Sequence, residues 1–304
     1  MKADRKKKFK VGRRGALFFY IAVLAFPVAQ FCVFYIGVNF NSILLAFRNY
    51  DALSSTFSWA GTANFSRFIS RLAVGSPLRF AVKNSLILYG AGLLIGLPLS
   101  LLFSYYIYKK ARGYNLMRIF LFLPSILSIV VMTIIFINLN AVVLPALGLK
   151  DYLGPVKTQF YAVVFFNIWI GFGTGILLYS SAMSRVSDSV VEAARIDGAG
   201  PLRQFFNVLI PGIWPTLTVF FVVGIAGIFI NQASLYAFFS WRVFDQSQTL
   251  GFWLFVKVVG DGSGQTDYPE AAAAGLMMTV IAVPLTLLVK YLLERFGPSE
   301  ESRK

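Results

Sequence analysis

Histidine is absent from this sequence, and cysteine occurs once, at Cys32. The first absence removes His-ligated metal, His-held haem and His-activated nucleophiles. The second removes any internal disulfide, and Cys32, inside an apolar stretch, reads as a small helix-lining residue. Charge is scarce as well. Only 13% of the 304 residues are charged, about half the share of a soluble domain. The long apolar stretches hold no carboxylate. A membrane-embedded lipid or sugar transferase would need a positioned acid, base or metal cluster. An ion-coupled secondary transporter would show intramembrane ionisable residues or an internal repeat. Neither pattern occurs. The G-x-x-x-x-G-K-[ST] loop that cradles ATP phosphates is also missing.

Hydrophobic residues make up 57% of the chain, with mean hydropathy +0.70. Charge-free stretches run through 16–38, 84–108, 119–149, 158–184, 204–241 and 271–289, each near the roughly 20 residues a membrane helix needs. They predict six spans near 16–38, 84–108, 119–139, 159–182, 214–236 and 272–292. The 23-residue run of 16–38 exceeds a signal-peptide core and no A-x-A site follows, so it reads as a retained first helix. An even number of crossings puts both termini on one side. That side collects 19 of the 28 Lys and Arg, including the eight of Met1–Arg14 and the four of Lys109–Arg118. Positive residues mark the cytoplasmic face, so both ends are expected in the cytoplasm. The net charge of +15 is then an orientation signal aided by anionic lipid. No nucleic-acid motif accompanies it. Pro98, Pro124 and Pro284 fall within spans, where neighbouring helices satisfy freed backbone groups.

The outer segment 39–80, with Trp59, Gly61, Asn64 and Phe65, is expected to hold a short interfacial helix. Asp245, Asp261, Asp267 and Glu270 in 237–270 lack Ca-loop spacing and read as solvated loop charge. The segment Arg185–Gly212 is different. Ser189 and Glu192 have capping-box spacing, Val190–Asp197 gives about two helical turns, and Gly198 supplies a left-handed exit. Gly200 and Pro201 restart a helix with Pro at its first position. Pro211 and Pro215 mark the opening of the next span. A two-turn helix is unstable alone, and Ala193–Ala194 permits close approach of a partner, so the segment reads as a docking element.

Glu192-Ala193-Ala194, three residues, Gly198, nine residues, then Val208-Leu209-Ile210-Pro211 resembles the EAA loop of ABC-importer permeases, E-A-A-x3-G-x9-I-x-L-P. The run Glu192–Ala199 (EAARIDGA) and the DGAGP of Asp197–Pro201 before Phe205-Phe206 resemble the carbohydrate type, the maltose large-subunit, glycerol-phosphate and multiple-sugar group. Val82-Lys83-Asn84-Ser85, Arg118–Pro124 and Asn167-Ile168-Trp169 are similar to the same family, over roughly 80–295. Ser240–Gln246 (SWRVFDQ) departs from the Gly-Gly-Pro outer element of many relatives.

The resemblance implies an all-α membrane protein of the type I ABC importer permease fold, six helices with a cytoplasmic helix-turn-helix coupling loop. It divides the chain into a basic segment 1–15, a first helix and outer loop 16–80, a five-helix core 81–295 holding the loop 185–212, and a tail 296–304. It implies import of a sugar or oligosaccharide, with another small polar solute (amino acid or peptide) as the alternative. It also implies a second permease subunit, two ATP-binding subunits carrying ATP and Mg, and an extracytoplasmic solute-binding protein; this chain itself is expected to be neither an enzyme nor cofactor-bound. Glu192, Ala193, Ala194, Arg195, Asp197, Gly198 and Pro211 become the ATPase-coupling residues. Asn231 and Gln232 are adjacent amides, with Tyr236 one helical turn beyond Gln232, and planar amides with an aromatic face suit sugar hydroxyls and C–H patches. This stretch also looks like a sugar-contacting one in the family. Ser125 and Ser128 match a second such stretch. The bland reading of all five is helix-to-helix glue, as it is for Asn138, Asn140 and Asn167.

Overall fold

A computed structural model describes residues 13–72, 76–260 and 262–298. Most of the basic run Met1–Arg14, residue Asp261 and the end of the tail therefore lie outside the described residues. The chain runs α1 (Leu17–Leu45), a hairpin of β1 (Arg48–Asp51) and β2 (Thr56–Trp59), α2 (Ala63–Ser70), α3 (Pro77–Tyr108), α4 (Tyr114–Ile126) and α5 (Ile129–Ala146). Then follow α6 (Val156–Met183), α7 (Asp188–Ile196), α8 (Pro201–Gly212), α9 (Trp214–Gly227), α10 (Leu235–Phe239), α11 (Leu250–Val259) and α12 (Tyr268–Phe296). The expected all-α membrane class holds, with one two-stranded hairpin outside it.

Among the described residues five helices, α1, α3, α5, α6 and α12, are each long and apolar enough to cross a bilayer. α8 and α9 meet at 68° and, taken as one broken span, make the sixth. Two expected spans are corrected. The third, placed at 119–139, is broken: Leu127 and Ser128 are extended, separating α4 from α5. The fifth, placed at 214–236, ends its helix at Gly227. The expected interfacial helix in 39–80 is α2, where Asn64 is buried and its Nδ2 donates to the carbonyls of Ala46 and Arg48, pinning α2 under the hairpin.

α6 is the central post. It packs against both α3 and α4, and it carries the buried Val163, Phe166, Ile176 and Met183. Gly173 makes the α4 contact possible: a Cβ there would sit 2.5 Å from Ser125 Oγ and 3.0 Å from the Leu121 carbonyl oxygen. Only a residue without a side chain lets two helix backbones approach so closely. Toward the end opposite the loop 185–212 (the outer end in the expected topology) the aromatic rings of Phe136, Phe166 and Phe238 close the core, with Phe166 and Phe238 edge-to-face at 4.7 Å. At the loop end Tyr179, Met183, Phe205, Leu209 and Ile213 form a second cluster. α1 contrasts with both: none of its apolar window is buried in the chain. Such a wholly apolar, uncovered helix is stable only against lipid or another subunit.

Candidate coupling loop and translocation cavity

The loop between α6 and α9 takes the expected helix–turn–helix form, with shifted limits. Its first helix is Asp188–Ile196 rather than Val190–Asp197, and Ser187 occupies the N-cap. The capping box therefore does not form: Ser189 lies inside the helix and its hydroxyl is hydrogen-bonded to that of Ser187 at 2.7 Å. Asp188 in the first turn instead complements the positive end of the helix. The exit is as the sequence predicts. Gly198 has φ +76, its N–H donates to Arg195 O, and Ala199 N–H donates to Ala194 O. These two bonds make a Schellman cap. Gly200 is the next N-cap and Pro201 opens α8.

This loop is held from behind and bare in front. Val186 and Val191 pack onto the loop-end core, and a Cβ on Gly212 would come within 2.7 Å of Val186 Cγ2. Tyr105 Oη, from α3, donates to Pro201 O at 2.8 Å. Lys109 Nζ donates to Gln204 Oε1 at 2.7 Å, while Gln204 Nε2 donates to Ala199 O at 2.6 Å. Glu192, Ala193, Arg195, Asp197 and Gly198 are exposed and Ala194 is half-buried. Val190, Ile196, Leu202 and Phe206 add exposed apolar surface, Ile196 at 86%. Pro211 lies in the last turn of α8. An apolar, backbone-rigid face of this kind fits a second protein.

The outer end of the α9 region is irregular. After Gly227 the chain turns, and Ala233 and Ser234 both take left-handed φ, +54 and +58. The expectation that Tyr236 lies one helical turn past Gln232 is thereby corrected: no helix joins them. Instead, other elements hold the break by its backbone. Asn167 Nδ2 donates to Ala233 O at 2.9 Å, and Thr249 Oγ1 donates to Asn231 O at 2.8 Å while capping α11. Asn84 Nδ2 reaches the carbonyls of Gln246 and Gln248, and Ser85 Oγ accepts from Leu250 N–H. Asn231 Oδ1 accepts from Ala233 N–H. Asn84 and Ser85, noticed in sequence only as a family-like flank, are thus the clamps of this segment.

Inside these walls lies a cavity of about 620 Å³, bounded by α3, α6 and α9. Its polar edges include Ser85, Ser100, Asn167, Thr174 and Asn231, and among the described residues no Lys, Arg, Asp or Glu lines it. Gly92, Gly171 and Gly227 face open space, since a Cβ on any of them meets nothing within 4 Å. Of the five expected substrate-contact residues, Asn231 alone lines this cavity. Tyr236 lies outside it, in an aromatic group with Trp241 and Phe255 at 4.7 and 5.4 Å. Ser125 Oγ donates to Phe122 O and abuts Gly173, which is helix packing. Ser128 is the exposed N-cap of α5. Gln232 is half-buried beside the break. Ser100 and Thr174 were missed because a lone hydroxyl in an apolar run carries no signal in sequence.

Glu270 also departs from expectation. It is buried, not solvated, and pairs with Arg71 Nη1 at 2.8 Å and Lys257 Nζ at 3.8 Å, while Lys257 holds Asp267 at 2.6 Å. This network ties α2, α11 and α12 together at the outer end. Among the described residues, no cluster of His, Cys, Asp or Glu could hold a metal ion.

Residues 92–301 match the family described as binding-protein-dependent transport system inner membrane component. Among individual relatives, the multiple sugar-binding transport system permease protein MsmF of Streptococcus mutans is 24% identical over 275 residues, covering 88% of this chain and 92% of the relative. The sn-glycerol-3-phosphate transport system permease protein UgpA of Pectobacterium atrosepticum is 25% identical over 280 residues, covering 86% and 90%. A crystal structure of a bacterial ABC transporter importing the acidic polysaccharide alginate has a chain of the same fold, with TM-score 0.78 at 20% identity over 93% of this chain and 97% of that one. The family match over 92–301 spans the exposed loop, the bent α8–α9 pair and most of the cavity wall. This chain belongs to the family of binding-protein-dependent transport system inner membrane components.

Proposed function

We propose that this chain forms half of the translocation pathway of a bacterial ABC importer for a neutral sugar or oligosaccharide. A second permease subunit completes the pathway, two ATPase subunits bearing ATP and Mg serve the pair, one of them docking on Asp188–Ile196 of this chain, and a solute-binding protein delivers substrate on the far side. Both termini and the coupling loop then lie in the cytoplasm, as the basic side chains favour. The 81–295 core is the moving unit of this reading, and 16–80 its peripheral addition.

The observation that carries the reading is the bare loop face on a braced back. A force on Val190, Ile196 or the Schellman turn passes through Gln204–Lys109 and Tyr105–Pro201 into α3, a wall of the cavity. Rigid-body motion of this kind is how packed helices switch access. The solute class rests on the likeness to sugar permeases and on the lining. A phosphorylated or acidic solute would favour cationic partners, and this chain's share of the wall offers hydroxyls, amides and the ring of Tyr89 instead. Asn231 is the residue best placed for contact, with Gln232 and Tyr236 on the approach to it.

The test is to purify the complex through a tag on this chain and measure co-purified ATPase and sugar uptake. Asn231→Ala should leave the ATPase bound and lower uptake at limiting sugar by about tenfold, the loss of one buried hydrogen bond. Wild-type uptake in this variant, or no co-purified ATPase with the native chain, would overturn the assignment.

A further inference from the structure

Between the end of α3 and the coupling loop lies a second cleft of about 640 Å³, open to the surface. Its walls include Leu102, Tyr105, Tyr106, Lys109, Arg195 and Gln204. Two cations thus face one space from different elements. Among the described residues, no carboxylate lies within ion-pair distance of either. Gln204, buried and itself fixed to Ala199 O, accepts one of the three Lys109 Nζ protons and aims the ammonium into the cleft. Two donors remain on Lys109, and the Arg195 guanidinium is unpaired across the gap. Two like charges held together without a counter-ion repel each other, and an anion between them relieves that repulsion.

We propose that this cleft binds the phosphate of an anionic phospholipid headgroup, clamped by Lys109 and Arg195, and that the lipid braces the coupling loop against α3. The location favours lipid over a free anion. Lys109 follows the last residue of a membrane-length helix, Leu102 at the rim is exposed and apolar, and Tyr105 and Tyr106 lie in the last turn of that helix, a residue type enriched where membrane helices meet headgroups. Lys110 and Arg112 follow in the turn and Arg118 early in α4, and these cations draw acidic lipid to this side. Partial burial, and after it the Arg195 charge, pushes the Lys109 ammonium below the usual lysine range; a bound phosphate reverses that push. The inference rests on the orientation argued above, in which this end faces the acidic cytoplasmic leaflet.

The full chain, purified in neutral detergent, is titrated with phosphatidylglycerol, phosphatidylcholine and inorganic phosphate, and bound lipid is read by native mass spectrometry. Phosphatidylglycerol should be retained over phosphatidylcholine, with about tenfold weaker retention in Lys109→Gln and recovery in Lys109→Arg, the scale of one charge-assisted contact. Elution of each variant as the same monodisperse species separates binding from folding. Equal retention in wild type and Lys109→Gln would overturn the proposal. So would protection by inorganic phosphate alone, which would make the cleft a soluble-anion site. Loss of co-purified ATPase in Lys109→Gln with lipid retention unchanged would also overturn it, assigning both cations to the protein interface. Lipid retention is measured on this chain alone, so its failure leaves the permease assignment standing, and loss of transport leaves the lipid result standing.

Discussion

The two ends of the bent α8–α9 region are built on opposite principles. At the loop end, Asp188–Gly212 is regular: helix, Schellman turn, Pro-started helix, its one left-handed residue a glycine. At the outer end, 228–249 is irregular and its positive-φ residues are Ala233, Ser234 and Ser240, which carry side chains. The loop end is specified by bonds between near neighbours in sequence, such as Ala199 N–H to Ala194 O. The outer end is specified by side chains 18 to 165 residues away: Thr249, Asn167, Asn84 and Ser85. A docking face for a separate protein must hold its shape before the partner arrives, and local bonds suffice for that. A non-helical stretch at membrane depth must have its backbone satisfied by the rest of the bundle.

If that contrast is right, the largest stability effect belongs to a residue remote from the break. Asn84→Ala strips the donor from two carbonyls, Gln246 O and Gln248 O. Asn84 is buried and the two bonds are part-buried, so their joint loss costs about 1–3 kcal/mol. The variant should lose most of its folded yield in detergent, measured by fluorescence-detected gel filtration after a thermal ramp. A melting profile equal to wild type would show that the outer segment holds itself.

Close helix approach comes next. In Gly173→Ala the new methyl meets the α4 backbone at 3.0 Å as well as the Ser125 hydroxyl. The hydroxyl can rotate away, but the Leu121 carbonyl oxygen and Phe122 Cα cannot. Overpacking of this kind costs about 1–3 kcal/mol. A clear fall in melting temperature is expected, and the double variant Gly173→Ala with Ser125→Ala should recover only part of it. Full recovery would mean that the backbone contact is looser than drawn.

These elements also divide what sequence could and could not disclose. The coupling loop was legible to the level of its Gly198 exit and Pro201 start, because caps and turns are written in adjacent residues. The N-cap was misplaced by two residues and the expected capping box does not form, since Ser187 and Ser189 offer the same hydroxyl and only the chain path selects between them. The spans were legible from missing charge, yet their breaks at Leu127–Ser128 and after Gly227 were not. Hydropathy stays high through both, and the interruption is set by tertiary partners. Glu270 read as a loop charge because its partners Arg71 and Lys257 are far away in sequence and near in space. Of the expected sugar contacts, the break carried Asn231 to the cavity and left Tyr236 outside it.

A smaller and more local effect is expected at the coupling loop. A Cβ on Gly198 meets no atom of this chain, so Gly198→Ala acts through backbone conformation alone. A left-handed residue with a Cβ costs roughly 1–2 kcal/mol. The global melt should therefore move little, because the exposed loop unravels before the bundle does. Co-purified ATPase should drop about tenfold, that same energy read as an occupancy. Gly198→Asp, which adds charge beside Asp197, should drop it further. Undiminished ATPase recovery in both variants would reduce the loop to a connector.

The smallest expected effect is at Ala233, where the same left-handed geometry occurs without glycine. Three terms meet in Ala233→Gly. Removing the Cβ relieves roughly 1–2 kcal/mol of left-handed strain. The freer glycine chain loses about 0.5–1 kcal/mol more entropy on ordering. Ala233 is 1% exposed, so the lost methyl forfeits about 0.8 kcal/mol of burial. The terms nearly cancel, and a melting temperature within error of wild type is the expected outcome. The neighbouring bonds, Asn167 Nδ2 to Ala233 O and Ala233 N–H to Asn231 Oδ1, use the backbone and survive the change. A marked stabilisation would show that the strain is real and uncompensated, held for the sake of transport. A marked loss would show that the methyl, rather than the four remote clamps, fixes the break.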